Sequence, residues 1–308
     1  MKYPAVAISN LKKNYGDTTA LKGIDININD GEFFGLLGPN GAGKTTTINI
    51  LTGLVRKDSG STNIFGEDTI SNYRFTRSQI GISAQEFAQD WFFPIEKLLY
   101  FQAGYYGMSK SQAKDKVDEL FVRLGLDKKR KSRLRELSGG MKRRFQIAKA
   151  LVHDPKILIL DEPTAGVDVK LRHELWDYLS ELHKDGKTIL LTTHYIEEAE
   201  KLCDKVAIID KGKVIIEGTP KDLTGEQGNS GITINISETE VDLKTHLNEF
   251  SYSHENERIH FISNDPEGDL PKIINVLTKA GCHIQRVETT KSSLEDVFLK
   301  LTGKGINE

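Results

Sequence analysis

Apolar residues in the first two thirds of the chain fall into short uninterrupted runs, separated by stretches with helical spacing. Residues 157–160 read Ile-Leu-Ile-Leu, a run typical of a strand that is covered on both faces. Between residues 109 and 125 the apolar side chains recur on one face of a helix. The other strands predicted here are 5–9, 21–28, 33–37, 60–65, 80–83, 188–193, 206–210 and 214–217, and the other helices are 45–51, 138–151 and 168–182. This alternation predicts an α/β fold.

A polar, glycine-rich stretch follows the last of these strands. It covers residues 218–220 and 224–231, and we place a domain boundary there. The predicted domains are residues 1–224 and 231–308. In the second, the predicted strands are 232–236, 259–262 and 283–288, and the predicted helices are 241–250, 270–280 and a last one that a capping box at 292–295 opens. This region is a small α/β unit without an evident cluster of catalytic side chains.

The most informative motif lies between the predicted strand 33–37 and the helix after it. Its sequence is Gly38-Pro39-Asn40-Gly41-Ala42-Gly43-Lys44-Thr45, the pattern of a phosphate-binding P-loop. Glycines let successive backbone N–H groups turn toward one anion, and the helix that follows presents its positive end to that anion. Lys44 is expected to reach the β- and γ-phosphates of a nucleotide, and the Thr45 hydroxyl to meet Mg²⁺. We count Thr46 with the residues that bind the nucleotide.

Two adjacent carboxylates follow the apolar run 157–160. In a chain with a P-loop, Asp161 and Glu162 supply the second half of a nucleotide site, because one can hold Mg²⁺ through water and the next can polarise an attacking water. His194 follows the predicted strand 188–193. A lone histidine is usually structural, but ligands of α/β folds bind at the carboxyl ends of parallel strands, which favours a functional role here.

Bulk composition limits the partners of the chain. Its 308 residues suggest about two domains, and a net charge of −2 offers no general attraction to nucleic acid or to an acidic membrane. Cys203 and Cys282 lack metal ligands at zinc spacing, which indicates free thiols in a reducing compartment. No apolar run approaches the roughly 20 residues of a membrane helix, and the N-terminus lacks the apolar core of a signal peptide. We therefore expect a cytoplasmic protein that reaches a membrane only through a partner.

Three further stretches each have two interpretations. Tyr15 either stacks on an adenine ring or is a half-buried turn residue. The aromatic-rich segment 91–106 is either the core of a small helical bundle or a groove that receives a partner's helix, and both can be true. The basic run 128–135 is either a nucleic-acid patch or solvated surface, and the acidic balance of the whole chain favours surface.

A Gly-Gly pair opens the predicted helix that ends at residue 151. Ser138 stands at the N-cap position, and Gly139 and Gly140 expose backbone N–H groups to an anion. On its own this pattern says little, because many helices begin with serine and glycine. It gains meaning from the motifs that surround it.

These motifs occur together in an order that resembles one family, the ATP-binding cassette (ABC) ATPases. The resemblance covers about residues 4–220 and rests on the P-loop, Gln85, the segment Leu137–Met141, the run Ile157–Glu162 and His194. The segment before Gln85 lacks the usual Leu-Pro, whereas Gln85 itself is kept. Met141 with the basic residues after it, and the C-terminal segment 293–303, are similar to the subgroup that serves ABC-2 type exporters.

The resemblance implies a fold and an assembly. The fold is a P-loop NTPase cassette with a mixed core sheet, an antiparallel β subdomain and a helical subdomain at about residues 86–155, followed by the small C-terminal α/β domain. Two cassettes pack head to tail with ATP and Mg²⁺ between them. The segment Ser138–Gly140 then closes on the γ-phosphate of the nucleotide held by the other protomer, and Asp168 contacts the partner across the dimer interface.

The resemblance also implies the roles of the individual side chains. Glu162 is the general base that acts on water, and His194 steadies the γ-phosphate. Gln85 senses the metal and the water and couples them to the partner, so that Thr45, Gln85 and Asp161 form the implied Mg²⁺ site. Tyr15, under the same resemblance, stacks on adenine.

The function that follows is an ATPase subunit of an exporter whose membrane-spanning permease is a separate chain. We expect the protein to be peripheral on the inner face of the cell membrane, paired with a second cassette that is either another copy or a paralogue, and not bound to nucleic acid. The alternative is a soluble ABC ATPase that acts on ribosomes or DNA. The single P-loop, and the roughly fifty residues between Gln85 and Leu137, argue against the two-cassette and coiled-coil relatives of that class. A cassette that binds ATP but hydrolyses it poorly is disfavoured by Glu162 and His194.

Overall fold

The structure is a computed structural model of the chain, and it describes residues 3–84, 92–227, 231–237, 247, 250–255, 258–263, 265–290, 293–303 and 305. The described residues form two compact units, one up to Gly218 and one from Thr219 onward. The predicted domain limits, 1–224 and 231–308, stay predictions. No helix within the described ranges is long and apolar enough to cross a membrane.

Strands and helices alternate through most of the first unit. The strands are β1 (Val6–Tyr15), β2 (Thr18–Ile28), β3 (Phe33–Leu37), β4 (Ser59–Ile64), β5 (Glu67–Asp68), β6 (Ile80–Ser83), β7 (Ile157–Asp161), β8 (Thr188–Thr193), β9 (Lys205–Asp210) and β10 (Lys213–Gly218). The helices are α1 (Lys44–Leu51), α2 (Tyr73–Ser78), α3 (Ile95–Tyr105), α4 (Lys110–Arg123), α5 (Gly139–Leu151), α6 (Val169–Lys184) and α7 (Ile196–Leu202).

A six-stranded sheet forms the centre of the first unit. Its strand order is β10-β9-β3-β8-β7-β6, and every neighbouring pair is parallel except β9 and β10. All residues of β3, β7 and β8 are buried, which confirms the prediction that the apolar run 157–160 is covered on both faces. Because β3, β8 and β7 are parallel neighbours, their carboxyl ends lie at one edge of the sheet.

A second, antiparallel sheet has the order β2-β1-β4-β5. Its apolar side chains share one core with β3, α1 and β7, including Ile8, Ile26 and Ile64. The mixed core sheet and the antiparallel sheet together confirm the predicted fold class.

In the described part of the chain between β6 and β7, the helices α3, α4 and α5 form the predicted helical part. In α4 the buried residues are Ala113, Val117, Leu120 and Phe121, the face that the spacing predicts, and Ser109 begins the helix as N-cap residue of a capping box. The basic run that follows α4 is partly neutralised, because Arg130 contacts Glu96, Asp118 and Asp127. These ion pairs favour the interpretation of the run as solvated surface.

The second unit is an antiparallel sheet with helices beside it. Its elements are α8 (Pro220–Gln227), β11 (Gly231–Ile236), β12 (Tyr252–Glu255), β13 (Arg258–Ile262), α9 (Pro266–Lys279), β14 (Ile284–Thr290) and α10 (Leu294–Thr302). The strand order is β12-β13-β11-β14, and Ile273 and Leu277 of α9 belong to the core of this unit. The predicted helix 241–250 lies almost entirely outside the described residues.

The pattern analysis missed several short elements. These are α2, β5, α7, α8 and β12, each of two to eight residues. Elements of this length show at most two turns of helical spacing or two strand alternations, so that their sequences carry little periodic signal.

Candidate functional site

Two glycines shape the P-loop between β3 and α1. Gly41 and Gly43 have φ values of 80° and 114°, in the left-handed region that L side chains rarely adopt. Space is a second reason at Gly43, because a Cβ there would lie 3.0 Å from the Ala20 carbonyl oxygen. The loop is also tied to the sheet, since the Gly38 N–H donates to the Thr193 carbonyl at 3.3 Å. Only glycine at these positions allows this tight path.

Lys44 is buried at the first turn of α1. Its Nζ donates to the carbonyl oxygens of Gly38 at 2.6 Å and Pro39 at 3.1 Å, so that the side chain folds back under its own loop. The Nζ atom also lies 3.4 Å from Oε1 of Glu162. Burial lowers the pKa of Lys44, while the charges of Glu162 and Asp161 oppose that shift. The loop therefore holds a cation at the base of the site.

An open cavity of 320 Å³ lies in front of the loop. The residues that line it are Ala20, Pro39, Asn40, Gly41, Gly43, Lys44, Thr45, Thr46 and Glu162. Nothing lies within 4 Å of a Cβ added to Gly41, which leaves that side of the loop open. A cavity walled by a helix N-terminus, a lysine and two hydroxyls suits the phosphate groups of a nucleotide.

Asp161 and Glu162 are buried where β7 ends, next to Thr192 of β8. The Thr192 hydroxyl donates to Oδ1 of Asp161, and the Glu162 N–H donates to the Thr192 carbonyl at 3.0 Å. Thr192 therefore fixes the side chain of one acid and the backbone of the other. Sequence reasoning did not single out this threonine, whose apolar strand carries no motif.

The Glu162 carboxylate lies between two groups that can carry positive charge. Its Oε1 lies 3.4 Å from the Lys44 Nζ, and its Oε2 lies 3.3 Å from Nδ1 of His194. His194 follows β8 directly, at the carboxyl edge where β7 also ends. The structure thus brings together three side chains that are 32 to 150 residues apart in sequence.

Oxygen donors suited to Mg²⁺ lie in and beside this site. Thr45 is exposed at the first turn of α1, and Asp161 is buried at the end of β7. Mg²⁺ is usually bound by one or two carboxylates together with waters and substrate phosphates. Within the described ranges no three His, Cys, Asp or Glu side chains are placed to hold a metal by themselves. The donors present therefore fit a Mg²⁺ site that a nucleotide completes.

The segment Ser138–Gly140 opens α5 and does not line the cavity around Lys44. Ser138 is the N-cap residue, and its hydroxyl accepts from the Met141 N–H at 3.3 Å. Asp168 has the same role in α6, where its side chain accepts from the Leu171 N–H at 3.0 Å. The two helix starts are neighbours, because a Cβ added to Gly140 would lie 1.8 Å from Leu171 Cδ2.

The two glycines of this segment differ in their surroundings, which predicts different effects on stability. Gly140→Ala forces Leu171 aside and should lower the free energy of unfolding by about 1–3 kcal/mol, the usual range for overpacking. Gly139→Ala is the matched control, because nothing lies within 4 Å of a Cβ at that position. We expect it to change the free energy of unfolding by less than about 1 kcal/mol. Denaturant unfolding followed by tryptophan fluorescence measures both, and equal effects would contradict the packing argument.

The structure does not join two further predicted site residues, Tyr15 and Gln85, to this group, for different reasons. Tyr15 is 47% exposed at the end of β1, with the Lys13 Nζ 5.3 Å from its ring centroid, and it is not among the residues lining the cavity. Its adenine-stacking role stays a prediction. Gln85 lies outside the described residues. Ala20 of β2 lines the cavity although no sequence signal singled it out.

Comparison with known proteins gives the following matches. Residues 21–165 match the family described as ABC transporter, and residues 218–302 match the family described as ATP-binding protein DrrA1-3-like, C-terminal domain. Curated relatives include Nod factor export ATP-binding protein I of Burkholderia orbicola, which is 37% identical over 310 residues and 100% of both chains. The protein of the same name from Rhizobium sp. (strain N33) is 37% identical over 308 residues and 99% of both chains.

Solved structures resemble a large part of this chain. The cbiO1 protein of Clostridium perfringens, part of the ABC transporter complex cbiONQ, aligns with a TM-score of 0.66 at 33% identity and covers 74% of this chain and 93% of its own. The dimeric bacterial ABC transporter cassette MJ0796 aligns with a TM-score of 0.65 at 27% identity and covers 70% and 98%.

Proposed function

This chain belongs to the ABC transporter family and is an ATP-hydrolysing, ATP-binding subunit of an exporter. We propose that two such cassettes close head to tail over ATP and drive a permease on a separate chain. The observation that carries the proposal is the Glu162 carboxylate, held between Lys44 and His194 at the wall of the P-loop cavity. A carboxylate in this place can orient and deprotonate a water that attacks the terminal phosphate.

Each side of the cavity has a distinct task in this proposal. Lys44 and the P-loop amides neutralise the phosphates, and Thr45 and Asp161 would hold Mg²⁺, which would offset the charge of the phosphate oxygens. Glu162 takes the proton of the attacking water, and His194 donates toward the γ-phosphate. The burial of Glu162 and Lys44, 6% and 4% exposed, strengthens these interactions because little water screens them.

The proposal of a second cassette is supported by the position of the segment Ser138–Gly140. Its backbone N–H groups stand at a helix N-terminus, an anion-binding arrangement, yet they lie outside the cavity of their own chain. Ser138 and Gly139 are exposed. A second copy rotated by a two-fold axis can present this segment to the cavity, so that the transition-state charge meets donors from both chains only after closure. The dimeric cassette structures among the matches are consistent with this arrangement.

The proposal of a permease partner is supported by a groove between α2 and α3. A cavity of 460 Å³ there is lined by Tyr73, Arg74, Arg77, Ser78, Gln102, Tyr105 and Tyr106. Helix α3 has both properties expected of the aromatic segment, since Leu99 and Ala103 are fully buried while Tyr105 is 84% exposed. An exposed aromatic groove with basic residues at its wall suits an amphipathic helix of a partner. Through such a permease the protein would lie at the inner face of the membrane.

If the groove between α2 and α3 binds the permease, variants of the groove should weaken that binding and leave ATP hydrolysis intact. Tyr105→Ala combined with Arg74→Glu should reduce the recovery of a membrane partner at least about tenfold, because it removes an exposed aromatic anchor and reverses a charge. ATP hydrolysis by the purified chain should stay within about twofold of wild type. Val122→Ala, on α4 and 65% exposed, is the control for a surface apolar truncation.

The measurement is a pull-down of the tagged chain from its detergent-solubilised native membranes, with the co-purifying chains identified. A multi-span membrane protein in stoichiometric amount, reduced by the groove variant alone, supports the proposal. Recovery with ribosomes or DNA-processing proteins would overturn the transport role and leave the ATPase site standing. The comparisons give no support to that alternative.

A further inference from the structure

Arg143 of α5 is a buried arginine that reaches the catalytic loop. It is 3% exposed, and its Nε donates to the Pro163 carbonyl at 2.6 Å. Its Nη2 donates to the Glu162 carbonyl, and its Nη1 donates to the Ala84 carbonyl at 3.1 Å and to Oε1 of Gln146 at 2.9 Å. One guanidinium therefore connects α5 with the backbone of Glu162 and with the residue that precedes Gln85.

The placement of this cation is costly unless it is compensated. Burial lowers the pKa of Arg143, and the charges of Asp161, Glu198 and Glu162 oppose that shift. A buried charge persists only when its hydrogen-bonding groups are satisfied. Three acceptors of the Arg143 guanidinium are backbone carbonyls rather than carboxylates. The arginine is thus arranged to fix a chain path rather than to neutralise a single acid.

The chain path that it fixes is strained. Glu162 has a φ of 48°, in the left-handed region, which costs a non-glycine residue about 1–2 kcal/mol of conformational free energy. Its N–H is held by the Thr192 carbonyl at 3.0 Å, and its carbonyl accepts from Arg143 and from the Ala165 N–H at 3.2 Å. Without Arg143 the Glu162 carbonyl keeps the local bond from Ala165 but loses its tie to α5, and relaxation of the strained φ is less opposed. Such a rotation would turn the Glu162 side chain away from Lys44 and His194.

The other end of the same loop has its own anchor. The Thr164 hydroxyl donates to Oε1 of Glu198 at 3.0 Å, and the Trp176 Nε1–H donates to the same oxygen at 3.1 Å. Glu198 is fully buried, and burial raises its pKa. The loop 162–164 is therefore held at its far end by a fixed contact with α7 and α6. Arg143 is the side chain that holds the backbone carbonyl of Glu162 itself.

We infer that Arg143 is a positioning residue that ties the placement of the Glu162 carboxylate to helix α5. The same helix begins with the segment Ser138–Gly140, so that a displacement of that segment on dimer closure is passed to Glu162 through one rigid side chain. The inference rests on the proposed function, because it takes Glu162 as the general base. It adds a connection between the segment Ser138–Gly140, which is presented to the partner's nucleotide, and Glu162, which acts on the nucleotide held by the same chain.

The inference predicts a split between turnover and binding. Arg143→Lys keeps a cation but cannot reach three separate carbonyls, and Arg143→Met removes the cation. We expect kcat for ATP hydrolysis to fall about a hundredfold in both, the usual effect of misplacing a catalytic group by about 1 Å, while KM for ATP stays within about threefold. Arg144→Met is the matched control. The Arg144 guanidinium lies 3.8 Å from Glu174, and we expect kcat within about twofold of wild type.

A second measurement separates positioning from general damage to α5. In a Glu162→Gln background, ATP should still produce a stable dimer when Arg143→Lys is added, because dimer closure does not need a correctly placed base. Loss of that dimer on size-exclusion chromatography, or unchanged kcat in Arg143→Lys, would overturn the inference. If Glu162→Gln alone formed no ATP-dependent dimer, the proposed function would fail instead, and the two failures are distinguishable. Should Arg143→Met not fold, Arg143→Lys carries the test.

Discussion

Glu162→Gln should abolish steady-state ATP hydrolysis and leave the protein as an ATP-bound dimer. The amide keeps the size of the side chain but cannot accept a proton, so that the loss should be about 10²–10⁴-fold, the usual contribution of a general base. Binding of the nucleotide should persist, because Lys44 and the P-loop amides are unchanged. Phosphate release measures turnover, and size-exclusion chromatography with and without ATP measures the dimer.

The control for this variant is Glu197→Gln. Glu197 is an exposed carboxylate in the first turn of α7, three residues after His194, and its loss should leave turnover within about twofold of wild type. Hydrolysis by Glu162→Gln at the wild-type rate would show that another group serves as the base. An ATP-bound species that remained monomeric would instead contradict the head-to-tail arrangement.

Lys44→Ala should weaken the binding of ATP itself, and not only slow the hydrolysis of bound ATP. Hydrogen bonds to charged groups contribute about 1.5–3 kcal/mol each, so that the affinity for ATP should fall by about 10- to 150-fold. The change also leaves the Glu162 carboxylate buried without the ammonium that lies 3.4 Å from it. Titration with a fluorescent ATP analogue measures the affinity directly.

A lysine elsewhere in the chain serves as the control that separates the loss of the phosphate contact from the loss of one positive charge. Lys116→Ala removes a lysine of α4 that pairs with Glu119 at 3.1 Å, and it should leave ATP affinity unchanged. Unchanged affinity in Lys44→Ala itself would mean that the loop amides suffice for binding, and that the assignment of Lys44 to the phosphates is wrong.

Much of the fold was predictable because its signals are contiguous. The apolar run 157–160, the face of α4 and the glycines between β3 and α1 each lie within a few residues, where local sterics and periodicity decide the structure. The same holds for the P-loop motif and for the adjacent acids at the end of β7, Asp161 and Glu162. Short elements such as α2 and β5 gave no comparable signal, and they form because the surrounding tertiary structure buries or pairs them.

Other parts of the site had no local signal at all. Arg143 stands in a run of three basic residues and cannot be told by sequence from its partly exposed neighbours, yet it is only 3% exposed. The need for glycine at position 140 depends on Leu171, which lies 31 residues away. Thr192 looks like any β-branched residue of a buried strand. In each case the partner that defines the role comes from a distant part of the chain.

The sequence by itself determined which residues are available for chemistry, because the P-loop with Lys44 and the adjacent acids Asp161 and Glu162 are each contiguous in the chain. Only the tertiary structure decided how they meet. Strands β3, β8 and β7 are parallel neighbours, so that their carboxyl ends bring Lys44, His194 and Glu162 to one edge of the sheet. Strand order is set by burial and hydrogen bonding across the whole sheet, and no local pattern records it.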